Sequence, residues 1–172
     1  SIRGSEGSSF TASTPQGEIA IRLALPGRHN VANALAAIAV GLACELNLTQ
    51  IRDGLESLQP VSGRLKAVQS ASGCTVIDDC YNANPGSVRA AIEVLAACGG
   101  SRTLILGAML ELGDDGEAMH RDVGGYAKAL GLQGFWGVGE ALRPAVEAFG
   151  EGGHLFADRE EAIRSAANAF GR

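Results

Sequence analysis

The sequence lacks the features that mark several large classes of protein. Aromatic residues make up only 5% of its 172 residues, whereas hydrophobic residues make up 46% and glycine occurs 24 times. This balance is unlike that of a disordered or collagen-like chain and is typical of helices packed on a sheet. The 14 lysines and arginines are scattered among 19 acids, so no basic stripe favours a nucleic acid or an anionic membrane. We therefore expect an α/β protein without a nucleic-acid partner.

Long apolar runs and paired cysteines are also absent. The longest apolar stretch, Val31 to Cys44, is shorter than the roughly 20 residues that a membrane-spanning helix needs. The N-terminus is rich in Ser, Gly and Glu, unlike a signal peptide. The four cysteines form no CxxC pair and the three histidines lie in unrelated segments, which argues against zinc or disulfides. We expect a cytoplasmic protein with reduced cysteines, no metal ligand and no membrane insertion.

Two glycine-rich motifs that bind phosphate groups are missing as well. No GxxxxGK[ST] occurs in the chain, and no GxGxxG follows a predicted strand. The chain by itself therefore has neither a P-loop nor a dinucleotide-binding fingerprint.

The N-terminal part predicts a β-hairpin followed by a helical block. Polar and apolar residues alternate over residues 9–25 around a Pro-Gln-Gly turn. A segment from about Asn30 to Leu46 is apolar around most of its circumference, which predicts a helix buried on several sides. Thr49 is the predicted N-cap of a second helix that ends before Pro60. Its predicted inward residues are Ile51, Leu55 and Leu58.

The C-terminal part predicts a parallel sheet, because short apolar strands alternate with helices. The strands are predicted near 74–78, 103–107, 134–138 and 154–157, and the helices near 85–98, 117–130, 140–149 and 159–170. A further strand is predicted from Arg64 to Val68. The small residues Ser70–Gly73 follow it and are interpreted as a boundary between two domains, residues 1–72 and 73–172.

An acidic pair, Asp78 and Asp79, stands at the end of the first of these apolar strands. Ligands of open parallel sheets bind beyond the carboxyl ends of the strands, where carboxylates accept from ribose hydroxyls or help to hold magnesium. The alternative is that Asp79 only caps the following turn. The polar residues Tyr81, Asn82 and Asn84 favour a functional role, although Asn84 is also the predicted N-cap of the next helix.

Two asparagines form a second candidate group. Asn30 and Asn33 are three positions apart at the start of a predicted helix, so both amides lie on one face and can read the edge of a base. The alternatives are that Asn30 is an N-cap and that His29 is a structural histidine.

Arg64 and one loop complete the candidates. A guanidinium next to a domain boundary is suited to a phosphate, although a plain surface arginine is the alternative. Glu111 lies in the loop after the second apolar strand, and His120 lies near the start of the next helix. That loop is expected at the same edge of the sheet as the acidic pair.

Four segments taken together resemble the Mur ligases. They are, in order, GRHNVANALAA, PVSGRL, IDDCYNANPGSVRAAIEVL and LGAMLELGDDGEAMHRDVGGYA. The acidic pair before YNANP, combined with ML-E-LG, is most similar to the members that add D-alanyl-D-alanine. A sister ligase with another amino-acid substrate is the alternative within the family. The resemblance covers essentially residues 9–172.

The resemblance implies the tail of a central ATPase domain followed by most of a Rossmann-like C-terminal domain. It implies an ATP- and Mg²⁺-dependent amide ligase of peptidoglycan synthesis. Such an enzyme phosphorylates the carboxylate of UDP-N-acetylmuramoyl-tripeptide, and the amine of D-alanyl-D-alanine attacks the acyl phosphate. We expect a cytoplasmic monomer. Because the P-loop and the carbamylated lysine of the family are missing, we expect a fragment with no catalytic residue and no activity alone.

The resemblance also implies roles for individual residues. Asn30 and Asn33 resemble adenine contacts, Arg64 resembles a phosphate contact, and Asp79 resembles the acid that holds the ribose. The residues expected near the nucleotide or the dipeptide are Tyr81, Asn82, Asn84, Glu111 and His120.

The chain departs from the family pattern at two positions. Cys80 stands where Ser is more usual, and Ala108 stands where Asp is common, which puts a polar role at position 108 in doubt. A different class of function is a receiver-like α/β module that binds no nucleotide. Acetyl phosphate would modify such a module at Asp78 or Asp79, but this alternative explains neither the hairpin nor the asparagine pair.

Overall fold

The computed structural model describes residues 7–170, and the Ser-, Gly- and Glu-rich N-terminus lies outside them. The strands are β1 (Ser8–Thr14), β2 (Gly17–Leu23), β3 (Lys66–Gln69), β4 (Thr75–Asp78), β5 (Thr103–Gly107), β6 (Gly134–Val138) and β7 (Gly153–Phe156). The helices are α1 (Arg28–Ala43), α2 (Leu48–Glu56), α3 (Pro85–Ala96), α4 (Gly116–Ala129), α5 (Arg143–Phe149) and α6 (Arg159–Phe170). These elements confirm the predicted α/β class.

The predicted N-terminal hairpin is confirmed. Strands β1 and β2 pair antiparallel from Ser8 opposite Leu23 to Thr14 opposite Gly17. The alternation of the sequence buries one side of the hairpin against the two helices. The fully or nearly fully buried members of this core are Ala12, Ile19, Ile21, Leu23, Ala34, Ile38, Ile51 and Leu55.

Helix α1 begins earlier than the sequence predicts. Its N-cap is Gly27, whose φ of 100° favours glycine, and Asn30 is therefore not the N-cap. Asn30 lies in the first turn, where its Nδ2 donates to the Pro26 carbonyl oxygen at 2.7 Å. The helix ends at Ala43, three residues before the predicted Leu46.

Helix α1 is buried along one side only. Ala34 and Ile38 are buried, whereas Leu35 and Val40 are 45% and 63% exposed. The prediction of burial on several sides is therefore wrong for the described chain, because β1 and α2 cover a single face of the helix.

Helix α2 starts at a different cap from the predicted Thr49. The Oδ1 of Asn47 accepts from the Gln50 N–H at 2.9 Å, and the Oε1 of Gln50 accepts from the Asn47 N–H at 3.0 Å. This reciprocal pair satisfies two backbone donors that a helix start leaves unpaired, so Asn47 outcompetes Thr49.

The packing of α2 confirms two of its three predicted inward residues. Ile51 and Leu55 are buried, and a Cβ added at Gly41 of α1 would lie 2.9 Å from Ile51 Cγ1. The two helices therefore touch at a glycine. Leu58 is 44% exposed, because the helix ends at Glu56 and leaves Leu58 beyond its last turn.

Strands β3 and β4 form a second hairpin, with Lys66 opposite Asp78. The strand that was predicted from Arg64 starts two residues later. The stretch Ser70–Gly73, which was interpreted as a domain boundary, is the turn of this hairpin, and the Gly73 N–H donates to the Ser70 oxygen at 3.0 Å. It is a turn rather than an interdomain linker, because the strands on both sides are hydrogen bonded to each other.

Strands β5, β6 and β7 form a parallel sheet in that order, with Thr103 opposite Gly134 and Phe135 opposite Gly153. The prediction that β4 is a fourth parallel strand of this sheet is wrong, since within residues 7–170 it pairs only with β3. A cleft of about 1020 Å³, lined by Val76 of β4 and Ile105 of β5, separates the two strands. Their backbone groups therefore do not meet.

The helices that were predicted to start near residues 85 and 159 start at Pro85 and Arg159. The Oδ1 of Asn84 accepts from the Ser87 N–H at 2.9 Å, and the Ser87 hydroxyl oxygen accepts from the Asn84 N–H at 3.0 Å. Before α6, the Asp158 carboxylate accepts from the Glu161 N–H at 2.9 Å. The Glu161 carboxylate reaches back to the Ala157 N–H at 2.8 Å.

The core of the C-terminal part lies between the parallel sheet and helices α3, α4 and α5. Phe135 of β6 and Phe149 of α5 are at its centre, with ring centroids 5.6 Å apart. Each such fully buried side chain contributes about 2 to 3 kcal/mol. None of the helices within residues 7–170 is both long and apolar enough to cross a bilayer.

Candidate functional site

A cleft of about 560 Å³ opens where the start of α1, residues 58–65 and the loop from β4 to α3 come together. The predicted site residues that line it are Asn30, Asn33, Arg64, Asp79, Tyr81, Asn82 and Asn84. They come from three separate parts of the sequence. The fold therefore gathers most of the predicted site into one cavity.

The other two predicted residues, Glu111 and His120, do not line this cleft. His120 is buried, and its Nε2 accepts from the Met109 N–H at 3.0 Å. Its Nδ1 lies 2.7 Å from the Gly116 oxygen and therefore carries the ring proton. Glu111 is exposed in the same loop, with a φ of 60°. His120 thus fixes the loop after β5.

The segment Gly63-Arg64-Leu65 has an unusual backbone. Gly63 and Leu65 have φ values of 75° and 50°, and the left-handed region costs a residue such as leucine about 1 to 2 kcal/mol. Leu65 is only 6% exposed, so its burial offsets that cost. Between them, the Arg64 N–H donates to the Val61 oxygen at 3.1 Å. Arg64 therefore sits in a turn, and the prediction that it begins a strand is wrong.

The two adjacent acids hold this turn in place. Asp78 Oδ2 accepts from the Gly63 N–H at 2.9 Å and from the Ser62 hydroxyl at 3.3 Å. Asp79 Oδ1 accepts from the Leu65 N–H at 3.1 Å. Ser62 and Leu65 were not predicted as partners of the acids, for which the sequence suggested ligand contacts and, for Asp79, a cap of the following turn. The one signal for the turn was the glycine directly before Arg64.

The pKa values of the two acids are shifted in opposite directions. Hydrogen bonds from the Cys80 side chain and the Gly63 N–H lower the pKa of Asp78 below its ordinary 3.8. Burial raises the pKa of Asp79 above 3.8, although the Leu65 N–H opposes this. The hydrogen bond to the Asp78 carboxylate raises the pKa of the Cys80 thiol, which is therefore protonated at neutral pH.

These directions predict opposite effects of amide substitutions. A lowered pKa means that ionised Asp78 stabilises the fold above pH 3.8 and that this stability is lost as pH falls through the lower folded value. Because the pKa of Asp79 is raised in the folded state, the protonated carboxyl stabilises the fold below pH 3.8. That stability is lost as pH rises through the pKa of the folded state. Thermal unfolding between about pH 3 and pH 7 should therefore show a destabilising Asp78→Asn effect that shrinks on acidification. The stability of Asp79→Asn relative to the wild type should increase as pH rises. Parallel pH profiles of the two variants would contradict this assignment.

Arg64 lies over the ring of Tyr81, with its Cζ 4.3 Å from the ring centroid. This stacking contributes about 0.5 to 1 kcal/mol at an exposed site. The Tyr81 N–H also donates to the Gly63 oxygen at 3.1 Å. A Cβ added at Gly63 would lie 3.3 Å from Tyr81 Cβ, so the close approach favours glycine. Among the ion pairs of residues 7–170, none involves Arg64, although its charge acts on the nearby Asp79 carboxyl and lowers the pKa of that group.

Asn30 and Asn33 form the α1 side of the cleft. The bond from Asn30 Nδ2 to Pro26 fixes the orientation of the amide and leaves Oδ1 as the group that a ligand donor can meet. Asn33 is exposed one turn further along the helix. The spacing that predicted a shared face therefore agrees with the structure.

Asn82 and Asn84 mainly shape the opposite wall. Asn82 Oδ1 accepts from the Ala83 N–H at 2.9 Å, and Asn84 is the N-cap described above. The first turn of α3, including Gly86 and Ser87, lines the cleft. The positive end of the helix dipole therefore borders the cavity, which favours a negatively charged group there.

The described residues do not by themselves fit a magnesium ion. Within residues 7–170, no group of three or more His, Cys, Asp or Glu side chains is placed to hold a metal. Asp78 and Asp79 already accept from backbone N–H groups. Magnesium in proteins is usually held by one or two carboxylates together with waters and substrate phosphates, and both of these acids already serve backbone donors.

Comparison with known families agrees with this geometry. Residues 63–171 match the family described as Mur ligase, glutamate ligase domain. Residues 2–41 match the Mur ligase middle domain. The chain belongs to the Mur ligase family. This confirms the resemblance seen in the sequence and removes the receiver-like alternative.

Mur ligases whose names state their substrates are similar to most of the chain. The UDP-N-acetylmuramoyl-tripeptide--D-alanyl-D-alanine ligase of Escherichia coli K12 is 45% identical over 159 residues, which are 92% of this chain and 35% of that protein. The ligase of the same name from Haemophilus influenzae is 41% identical, over 92% of this chain and 34% of its own length. The chain thus spans about a third of these relatives.

Solved Mur ligase structures have the same fold. A crystal structure of MurF from Acinetobacter baumannii aligns with a TM-score of 0.86 at 38% identity, over 95% of this chain and 36% of that one. MurF from Thermotoga maritima in complex with ADP aligns with a TM-score of 0.78 at 19% identity, over 95% of this chain and 36% of that one. The second alignment supports the fold alone.

Proposed function

We propose that the cleft binds the adenosine part of ATP, as part of a full-length ATP-dependent amide ligase of peptidoglycan synthesis. We propose that the substrates of this full-length ligase are UDP-N-acetylmuramoyl-tripeptide and D-alanyl-D-alanine, because the similar ligases are named for them. The observation that carries the proposal is the convergence of Asn30, Arg64 and Asp79 on one cavity of about 560 Å³. An adenine nucleotide offers a matching partner for each of these groups.

Each contact follows from the chemistry of the side chain. Asn30 Oδ1 accepts from the exocyclic amine of adenine, and Asn33 supports the same edge of the base. The Asp79 oxygen that does not bind Leu65 accepts from a ribose hydroxyl. The Arg64 guanidinium, held over Tyr81, binds a phosphate oxygen.

In the proposed reaction, the tripeptide carboxylate attacks the γ-phosphate of ATP and releases ADP. The amine of D-alanyl-D-alanine then attacks the resulting acyl phosphate, forms the amide bond and releases phosphate. The residues of this chain bind and orient the nucleotide. The P-loop and the magnesium ligands belong to the rest of the full-length protein, where the bound ion would offset phosphate charge. Phosphate release from ATP by that protein in the absence of the carboxylate substrate would contradict this order.

The domain division that we propose lies between the end of α2 and Gly63. Two observations support it: residues 63–171 match a single family domain, and β3 pairs with β4. An enzyme that consumes ATP and carries free cysteines is suited to the cytoplasm, which is the proposed location.

Base selectivity tests the proposed adenine contact. Adenine presents an amine donor where guanine presents a carbonyl acceptor, so Asn30 Oδ1 pairs with the first and repels the second. We expect ADP to bind about 10-fold more tightly than GDP in isothermal titration calorimetry, a difference that corresponds to one hydrogen bond.

Asn30→Ala should weaken ADP binding and remove most of the preference for ADP over GDP. Asn168→Ala, an exposed asparagine on α6, is the matched control. Equal affinities for ADP and GDP in the unaltered chain would contradict the contact.

A further inference from the structure

Residues 57–65, between the end of α2 and the start of β3, join the N-terminal and C-terminal parts of the fold. The second half of this connection, from Ser62 onward, is hydrogen bonded to the end of β4 and to the residues that follow it. Asp78 accepts from Ser62 and Gly63, and the Gly63 oxygen accepts from the Tyr81 N–H. Arg64 lies in the middle of this bonded segment. Its position is therefore set by the end of β4.

We propose that Asp78 is a positioning residue, whose carboxylate holds the Ser62–Gly63 turn against β4 and thereby directs Arg64 into the cleft. Asp78 does not line the cleft, whereas its neighbour Asp79 does. The two adjacent acids therefore have different tasks. Asp79 faces the ligand, and Asp78 acts through the backbone of the connection.

The bonding of Asp78 supports this division. Its Oδ2 accepts from Gly63 and Ser62, and its Oδ1 accepts from the Cys80 N–H at 3.3 Å, so both oxygens are occupied within the protein. Gly63 is buried, and a buried backbone N–H without a partner is strongly unfavourable. Loss of the carboxylate therefore releases the turn that presents Arg64.

One experiment tests the backbone contact without any nucleotide. In amide NMR spectra of the chain, the Gly63 signal should follow the titration of Asp78, and the Leu65 signal should follow that of Asp79. Asp78→Ala should remove the hydrogen-exchange protection of Gly63 and retain that of Leu65. Unchanged Gly63 protection in Asp78→Ala would overturn the proposal.

A second experiment tests the effect on Arg64 and rests on the proposed function. The affinities of ADP and adenosine are measured for the wild type, Asp78→Ala, Arg64→Ala and the double variant. Asp78→Ala should weaken ADP by roughly 10- to 100-fold, the loss expected for a charge-assisted phosphate contact, and leave adenosine nearly unchanged. The double variant should be no weaker than Arg64→Ala. Equal losses for ADP and adenosine, or losses that multiply in the double variant, would overturn the positioning role.

Two further variants keep the outcomes separate. Asp78→Asn retains an oxygen that can accept from Gly63, so it should restore part of the ADP affinity. Asp53→Ala removes an exposed acid on α2 and should bind like the wild type. If the wild type binds no ADP, the proposed function fails, and the Gly63 signal alone still decides the role of Asp78.

Discussion

Replacing Gly124 with alanine is expected to lower the free energy of unfolding by about 3 kcal/mol. Gly124 lies in α4 where the helix crosses α5, and a Cβ added there would lie 2.0 Å from the backbone oxygen of Ala145 and 2.6 Å from its carbonyl carbon. Both atoms belong to the backbone, so no side-chain rotation relieves the contact. The two helices must separate, which opens the core around Phe149. Chemical denaturation of the purified variant measures this loss.

Gly125, the next residue of the same helix, is the matched control. A Cβ added at Gly125 would meet nothing within 4 Å. Gly125→Ala is therefore expected to stabilise the protein by about 0.5 to 1 kcal/mol, since alanine is the better helix former. Equal effects of the two substitutions would contradict the close crossing of α4 and α5.

Asp79→Ala is expected to weaken ADP binding by roughly 10- to 100-fold, because the variant loses a charged hydrogen bond worth about 1.5 to 3 kcal/mol. It also leaves the N–H of Leu65, a residue that is only 6% exposed, without its acceptor. The melting temperature should therefore fall as well. Calorimetric titration with ADP, below the melting temperature of the variant, measures the binding loss.

Asp79→Asn separates the two effects. The amide oxygen still accepts from Leu65, so the turn is retained while the charge toward the ribose is lost. We expect this variant to keep its hydrogen-exchange protection at Leu65 and to bind ADP less tightly than the wild type. If Asp79→Ala binds ADP as tightly as the wild type, Asp79 is not part of the nucleotide site.

The sequence predicted the elements of this fold better than their ends and partners. The β1–β2 hairpin and the alternation of strands and helices followed from hydrophobic periodicity, which is a local property. The start of α2 was missed because Asn47 and Gln50 form a reciprocal cap, and Thr49 lay closer to the apolar residues. The separation of β4 from β5 depends on tertiary structure, and the hydrophobic pattern of a strand does not show which strand it pairs with.

The candidate site shows the same limit. Asn30, Arg64 and Asp79 were selected from residue chemistry and family resemblance, and the structure brings them to one cleft, while their roles stay predictions. The backbone contacts of Asp78 and Asp79 could not be predicted, because an N–H donor carries no signature in the sequence. Glu111 and His120 were grouped with the site by sheet edge and by family resemblance, and the hydrogen bonds of His120 connect it to the loop after β5.

Titration of the isotope-labelled chain with ADP, followed by amide NMR, tests the nucleotide cleft most directly. We expect saturable shifts at Asn30, Gly63, Leu65 and Tyr81, on three sides of the cavity, and little change at Gly150 beyond α5. The absence of saturable shifts around this cleft would contradict it, as would the largest shifts lying between β4 and β5.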